Sequence, residues 1–301
     1  MFVFFALFMK KAFIQLHIAV FLAGFTGILG KLITLNAGLL VWYRLMISAV
    51  SLWALYFFQK KNSGISYKDI IKIFGIGAIA SLHWVSFYGS IKYSNVSIAL
   101  VCFSGIGFFT AFLEPLIFQV KIDRVELMLG VFMIIGIYFI FHFDPNYKTG
   151  IIIGLISALL ASIFPILNKV MLKRIPAETV TRYELSGGFL FLTALLPFYL
   201  RLFPTDYFFP NLKDFFWLLV LSWLCTVLAF NLSMKALQKI SAFTANLSYN
   251  LEPVYGILLA FLVLGENKYL NKGFYIGLVL IIFAITAQML RLWSKRRKVG
   301  N

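Results

Sequence analysis

The sequence predicts an all-α integral membrane protein: ten transmembrane helices, arranged as two inverted five-helix repeats around a central cavity. Three observations predict it. Of 301 residues, 61% are hydrophobic and only 13% charged, which leaves too little polar surface to clothe a soluble domain. Apolar runs long enough to cross a hydrocarbon core as helix, roughly 20 residues, recur ten times along the chain. Short motifs of the first half return, in the same order, in the second.

The cores of the ten runs are 12–33, 39–58, 70–88, 96–119, 125–143, 150–171, 182–200, 215–234, 240–264 and 273–292. Each run is continuous rather than alternating, which selects helices over a barrel, and a helix satisfies its own backbone hydrogen bonds in lipid. The opening MFVFFALFM is too short to span alone. It precedes the basic pair Lys10-Lys11, the reverse of the order in a cleaved signal peptide. Residues 1–11 therefore read as a cytoplasmic N-terminal segment, 12–149 as the first five-helix repeat, 150–292 as the second, and 293–301 as a basic cytoplasmic tail.

The duplication is visible in short stretches. Ala23 to Lys31 (AGFTGILGK) returns as Ala161 to Lys169 (ASIFPILNK), and Tyr43-Arg44 returns as Tyr183-Glu184. Phe87 to Lys92 (FYGSIK) matches Phe230 to Lys235 (FNLSMK), and Gly130 matches Gly277. Within the first match Pro165 replaces Gly27 and Asn168 replaces Gly30, so the sixth helix should bend where the first, with Gly24, Gly27 and Gly30, packs closely.

Charge sets the orientation. Lys10, Lys11, Lys60, Lys61, Lys68, Lys72, Lys121, Arg124, Lys173, Arg174, Arg182, Lys235, Lys239 and the cluster from Arg291 to Lys298 fall on one side. Lys92, Lys148, Arg201, Lys213, Lys268 and Lys272 fall on the other. By the positive-inside rule both termini are cytoplasmic. Five helices per half then make the second half enter from the opposite side, so the repeat is inverted, a design that opens alternately to either face. The net charge of +16 is explained by this orientation, and nucleic acid is not expected as a partner. Cys102 and Cys225 lie inside apolar runs and read as packing residues, with no disulfide or thiolate metal site.

Ten helices, a five-plus-five repeat, short loops and basic cytoplasmic edges resemble the EamA-type branch of the drug/metabolite transporter superfamily over the whole chain. The pieces that carry the resemblance are FYGSIKYSNVSIAL (Phe87 to Leu100) and LEPVYGILLAFLVLGE (Leu251 to Glu266), which are similar to the family's junction of helices three and four and to its helix nine. The first half departs from the pattern. With Gly130 set on Gly277, Ile106 stands opposite Pro253 and Gln119 opposite Glu266, and Leu113-Glu114-Pro115 is nine residues out of register with Leu251-Glu252-Pro253. The resemblance implies a bundle with a central cavity and a metabolite as cargo, often an amino acid or related compound moved outward.

Candidate site residues follow from cost, because an ionisable side chain deep in a bilayer is expensive and faces the bundle interior. His17, His83, Glu114 and Glu252 qualify. Glu252, midway along the ninth helix, shares a face with Ser241, Ala245 and Ser248, while Asn246, Asn250 and Pro253 share another; Tyr249 lies on the same helix. That helix must be central. Glu252 reads either as a proton or cation site, or partner of a substrate ammonium, or as a buried carboxylate tying helices together; for proton coupling it is the group chosen. Glu114 precedes Pro115, where a helix can be re-aimed, and reads as a gate or as a carboxylate paired with a nearby cation.

The third helix offers His83, Trp84, Phe87 and Tyr88, facing Thr226, Val227, Phe230 and Asn231 of the eighth, an aromatic wall with polar tips suited to a mostly apolar metabolite or simply to packing. Lys31 and Arg44 are expected near the outer mouth, and Lys169 and Glu184, with Asn168, near the inner one. These either gate the two mouths differently or snorkel to the interface. His17 reads as a titrating group or as hydrogen-bonded structure.

No nucleotide loop, His-Glu-x-x-His or paired-Cys motif occurs, so no catalytic residues, cofactor or metal are expected. The function read from the sequence is a secondary transporter, an exporter or exchanger of a small metabolite working by alternating access. The alternative is a non-transporting membrane scaffold or a membrane-embedded enzyme. The partners are a small-molecule substrate and the lipid bilayer, with proton or cation coupling open and the oligomeric state unassigned. The expected location is a bacterial inner membrane.

Overall fold

The computed structural model describes residues 2–59, 64–143, 145–240, 245, 248, 249 and 251–299, with side chains described apart from those of 2–10, 59, 141–143, 145, 289 and 292–299. Asn246 and Asn250, with Ser241, Lys60 and Lys61, lie outside the described residues, as do the side chains of the basic tail. Among the described residues the structure is helical, without strands.

Ten apolar helices appear in chain order. The first five are α1 (Lys11–Leu32), α2 (Ala37–Phe58), α3 (Tyr67–Tyr93), α4 (Val96–Phe118) and α5 (Arg124–Phe143). The second five are α6 (Lys148–Met171), α7 (Ala177–Leu202), α8 (Leu212–Leu237), α9 (Leu251–Leu264) and α10 (Lys272–Gln288). Seven of them are long and apolar enough to cross a membrane, and α9 and α10 are shorter apolar helices over their described lengths. Helix continues upstream of α1 to Phe2, because nothing in the opening apolar run breaks it.

Side-chain caps start several helices. Ser66 accepts from the Asp69 amide before α3, Asn95 from Ile98 before α4, and Asn211 from Asp214 before α8, each satisfying an amide that the helix itself leaves open. At the far ends, Gln119 after α4 and Gly265 after α9 both adopt the left-handed conformation that closes a helix. By this geometry Gln119 stands where Gly265 stands, one residue from the register that set it opposite Glu266, and Val120 then stands opposite Glu266, which has no acidic counterpart in the first half.

Helix packing repeats between the halves. α3 packs on α6 and α7, and its mate α8 packs on α1 and α2; α2 with α7, α4 with α9 and α5 with α10 meet across the middle. Two crossings show the correspondence in detail. Where α2 crosses α8, Ser222 Oγ donates to the Arg44 carbonyl at 3.3 Å and Ser48 Oγ to the Ser222 carbonyl at 3.3 Å. Where α7 crosses α3 the approach is closer: a Cβ on Gly77 would lie 2.1 Å from the Glu184 carbonyl oxygen. Gly30 likewise admits the Tyr88 ring, which a Cβ would meet at 2.3 Å. Outward, large apolar side chains such as Phe57, Phe58, Leu262 and Val279 are exposed, a surface that suits lipid and not water.

Candidate functional site

A cavity of about 80 Å³, partly open to the outside, lies in the middle of the bundle. Its wall is mostly apolar, with an aromatic cluster of Trp84 and Phe87 from α3, Phe103 from α4, Phe164 from α6 and Phe230 from α8. Trp84 meets Phe230 edge-on at 5.9 Å, and Phe164 stacks on Phe230 at 6.3 Å between ring centroids. Polar groups reach it at few points, from Arg44, Thr26, His83, Ser233, Tyr249 and Glu252. An apolar wall with sparse, converging polar groups is the usual form of a small-molecule site.

Arg44 is the single charge in the apolar run of α2, and it is 3% exposed. Its Nε donates to Thr226 Oγ1 at 2.6 Å, one Nη to Tyr88 Oη at 3.0 Å, and the other to the Cys225 carbonyl at 3.4 Å. The guanidinium also lies 4.3 Å over the Trp84 ring, a favourable face for a cation. Thr226 and Cys225 belong to a π-helical stretch of α8, Trp223–Leu228, the kind of local widening that often accompanies a functional site. Among the described residues no ion pair includes Arg44. Hydrogen bonds to a charged group are worth about 1.5–3 kcal/mol each; they hold this cation in place without a contacting carboxylate. The long bond to Cys225 is the one an anion would displace at least cost.

Glu252 of α9 is 6% exposed and lines the same cavity, within the field of Arg44. Tyr249, one turn earlier, hydrogen-bonds to Ser233. His83 is fixed by Ser157, whose carbonyl lies 3.0 Å and hydroxyl 2.9 Å from its Nδ1, and its ring packs among Trp84, Phe87, Phe103 and Phe164. The cavity therefore presents a cation from α2 and a carboxyl group from α9 within one apolar, partly aromatic lining.

The two ends of the bundle are tied by matching but unequal clamps. At one end Asp214 accepts from the Thr34 amide at 3.0 Å, the Thr34 hydroxyl at 2.6 Å and Tyr207 Oη at 3.1 Å. There Glu266 also receives the amides of Val96 and Ser97 at 2.9 and 2.8 Å and the Ser97 hydroxyl at 2.6 Å; Lys92 caps the Ile33 carbonyl at 2.6 Å. At the other end Asp69, the counterpart of Asp214, pairs with Arg174, which is 55% exposed. Lys169 donates to the carbonyls of Leu237 and Ile240, and Lys235 pairs with Glu178.

The residues singled out from sequence divide accordingly. His83, Trp84, Tyr249, Glu252 and Arg44 line the cavity, and Tyr88 touches it through Arg44. His17 does not: it is exposed in an apolar groove on the outside of α1, bonded to its own helix at Phe13. Glu114 borders a separate groove with Pro115, Lys121, Asp123 and Glu126, within the field of Lys169. Lys31 is exposed, and Asn231, partly buried, does not line the cavity. Lys169 is not paired with Glu184, which instead accepts from Asn168 Nδ2 at 3.0 Å. Sequence reasoning placed Arg44 at a mouth; as the mate of Glu184 and a lone charge in an apolar helix it carried the signal of an interior group. Ser157 and Ser233, small hydroxyls among many, gave no such signal.

Comparison with known proteins agrees with this architecture. The model of the EamA-like transporter family matches residues 10–142 and 148–288. An "Uncharacterized transporter" of Haemophilus influenzae is 28% identical over 156 residues, 48% of this chain and 51% of the relative, so the match spans about half the relative's length. A solved crystal structure superposes with a TM-score of 0.66 at 15% identity, covering 93% of this chain and 97% of the other, which establishes the fold. The chain is an integral membrane transporter and not an enzyme.

Proposed function

Because the chain belongs to the EamA-like transporter family, we propose that it is a secondary carrier, an exporter or exchanger, of a zwitterionic small metabolite of the amino-acid kind, working by alternating access. The observation that carries this reading is the pairing of Arg44 and Glu252 across one aromatic cavity. A substrate carboxylate takes the guanidinium as a two-point partner, displacing the 3.4 Å bond to Cys225. The ammonium takes Glu252, and the side chain lies against Trp84, Phe164 and Phe230. The unequal clamps at the two ends support alternating access: at one mouth buried carboxylates hold buried donors, and at the other the ion-pair partners Arg174, Lys235 and Glu178 are about half in solvent and part more readily. Residues 12–149 and 150–292 are the two repeats that rock against each other, with both termini cytoplasmic by the positive-inside rule. That orientation and the bacterial homologue fit the inner membrane.

The test is a thermal-shift screen of purified protein against L-amino acids, their carboxamides and their N-acetyl derivatives, since a ligand bound only by the folded state raises Tm. The zwitterions should raise Tm, and blocking either end, or replacing Arg44 by Ala, should remove the shift. Equal shifts from the blocked compounds would defeat the reading.

A further inference from the structure

Outside the cavity, between α6 and α7, lies a buried pair that the carrier reading leaves without a role. Glu184 and Asn168 are each 0% exposed, and Asn168 Nδ2 donates to Glu184 Oε1 at 3.0 Å. The other oxygen of each group, Glu184 Oε2 and Asn168 Oδ1, is buried and has no hydrogen-bond partner. Both are acceptors if Glu184 is ionised, and an ionised carboxylate accepts only. A buried polar atom left unmet costs about 1–3 kcal/mol, and more when charged, so two such atoms in one pair need a physical cause.

A single proton supplies it. A protonated carboxyl has one O–H donor, and an acid and an amide match edge to edge: Oε2–H donates to Oδ1 while Nδ2–H donates to Oε1. Such pairing, with Oε2 turned to Oδ1 beside the observed Nδ2–Oε1 bond, would satisfy both orphan oxygens and remove the buried charge. Turning the amide over, an assignment that hydrogen-bonding alone decides, places oxygen against oxygen and again requires a proton between them. Thr181 Oγ1, one turn earlier on α7, is buried and also has no partner; it does not reach Glu184 in this conformation and so does not replace the proton.

We infer that Glu184 and Asn168 form a proton-binding site between α6 and α7, filled in this conformation and emptied when the two helices part. The charged groups on the surrounding helices are occupied elsewhere. Asp69 of α3 holds Arg174, Lys169 of α6 caps the carbonyls of Leu237 and Ile240, and Lys235 of α8 pairs with Glu178 of α7. Arg182 lies over the Tyr56 ring, and His83 and Arg44 are engaged at the cavity; Lys68 and Lys72 of α3 are exposed. No cation contacts Glu184 among the described ion pairs. The site's use in coupling rests on the carrier reading, but its existence does not.

Infrared spectroscopy of the protein in liposomes at neutral pH tests it without any substrate. The difference spectrum of wild type minus Glu184→Gln should contain a carboxylic-acid C=O band that shifts in D2O. Asn168→Leu should keep that band and move it to higher frequency, because the acid loses its partner. The amide of Glu184→Gln can still pair with Asn168, so the fold should survive; should it not, the Asn168→Leu shift alone decides. Equal acid-band intensity in wild type and Glu184→Gln, or no shift in Asn168→Leu, overturns the site. So does a rise in Tm with sodium chloride over choline chloride that Glu184→Gln abolishes, which would put a sodium ion between the oxygens.

Discussion

Arg44 and Glu184 occupy the same place in the two halves, each after a tyrosine and each at a crossing of the second helix of its half with the third helix of the other. Arg44 has hydrogen bonds from Nε and both Nη atoms and opens onto the cavity. Glu184 is sealed away, with one oxygen bonded and one not. The repeat gives two equivalent interior positions, and in the proposed reading opposite charges turn them to different tasks: a fixed cation that meets the substrate, and an acid that carries a proton. A residue at a repeated position is thus not a repeated function; its neighbours decide.

The comparison breaks most sharply at Arg44. Arg44→Ala should weaken amino-acid binding by about 100-fold or more, since truncating one member of a desolvated charge pair costs roughly 2–5 kcal/mol. Arg44→Lys should rescue little, lacking the planar two-point geometry. Isothermal titration of the two variants checks this, and binding retained in Arg44→Ala would remove Arg44 from the site.

The crossings themselves come next. At α3–α7, Gly77→Ala drives a methyl into the Glu184 carbonyl, whereas Gly75, with open space around its Cβ position, accepts one. Overpacking costs about 1–3 kcal/mol, so Gly77→Ala should lower Tm by several degrees and Gly75→Ala should not. A matching Tm for the two would mean the helices are less closely crossed.

The clamps give a smaller contrast. Asp214 is 1% exposed and holds three donors of Thr34 and Tyr207, while Asp69, 8% exposed, holds Ser66 and a half-exposed arginine. Asp214→Asn should cost about 1–3 kcal/mol of stability and Asp69→Asn less, because its arginine partner is half in solvent, read from denaturation in mild detergent. Equal losses would contradict the view that one mouth is tied more tightly. Smallest is Glu252→Gln, which keeps the shape of the cavity and removes its ionisable carboxyl; it should reduce zwitterion affinity by about 10-fold, the loss of one charge-assisted hydrogen bond at the low end of about 1.5–3 kcal/mol, with little change in Tm.

How far the sequence reached can be seen in particular residues. The ten helices were legible because apolar length is a strong, local signal, and the repeat was legible because its motifs keep their order. Glu252 stood out as a carboxyl in the middle of an apolar helix, and it lines the cavity. His17 stood out for the same reason and does not, because the sequence does not say which side of α1 faces the bundle; exposure at Ile14, Ile18 and Phe21 marks that side as lipid-facing. Arg44 reads from sequence as a mouth residue because the neighbours that hold it inside, Tyr88, Cys225 and Thr226, lie on other helices. The pairing of Glu184 with Asn168 crosses two helices with Pro165 between Asn168 and the start of α6, and no periodicity encodes it.

The central claim is that the two equivalent positions have divided binding from protonation. Its most direct test is counterflow of a radiolabelled amino-acid mixture in proteoliposomes across a range of pH, for wild type, Arg44→Ala and Glu184→Gln. The account predicts pH-dependent flux in wild type, no flux at any pH in Arg44→Ala, and flux that persists but no longer responds to pH in Glu184→Gln. Flux retained by Arg44→Ala, or a wild-type pH response in Glu184→Gln, would contradict it.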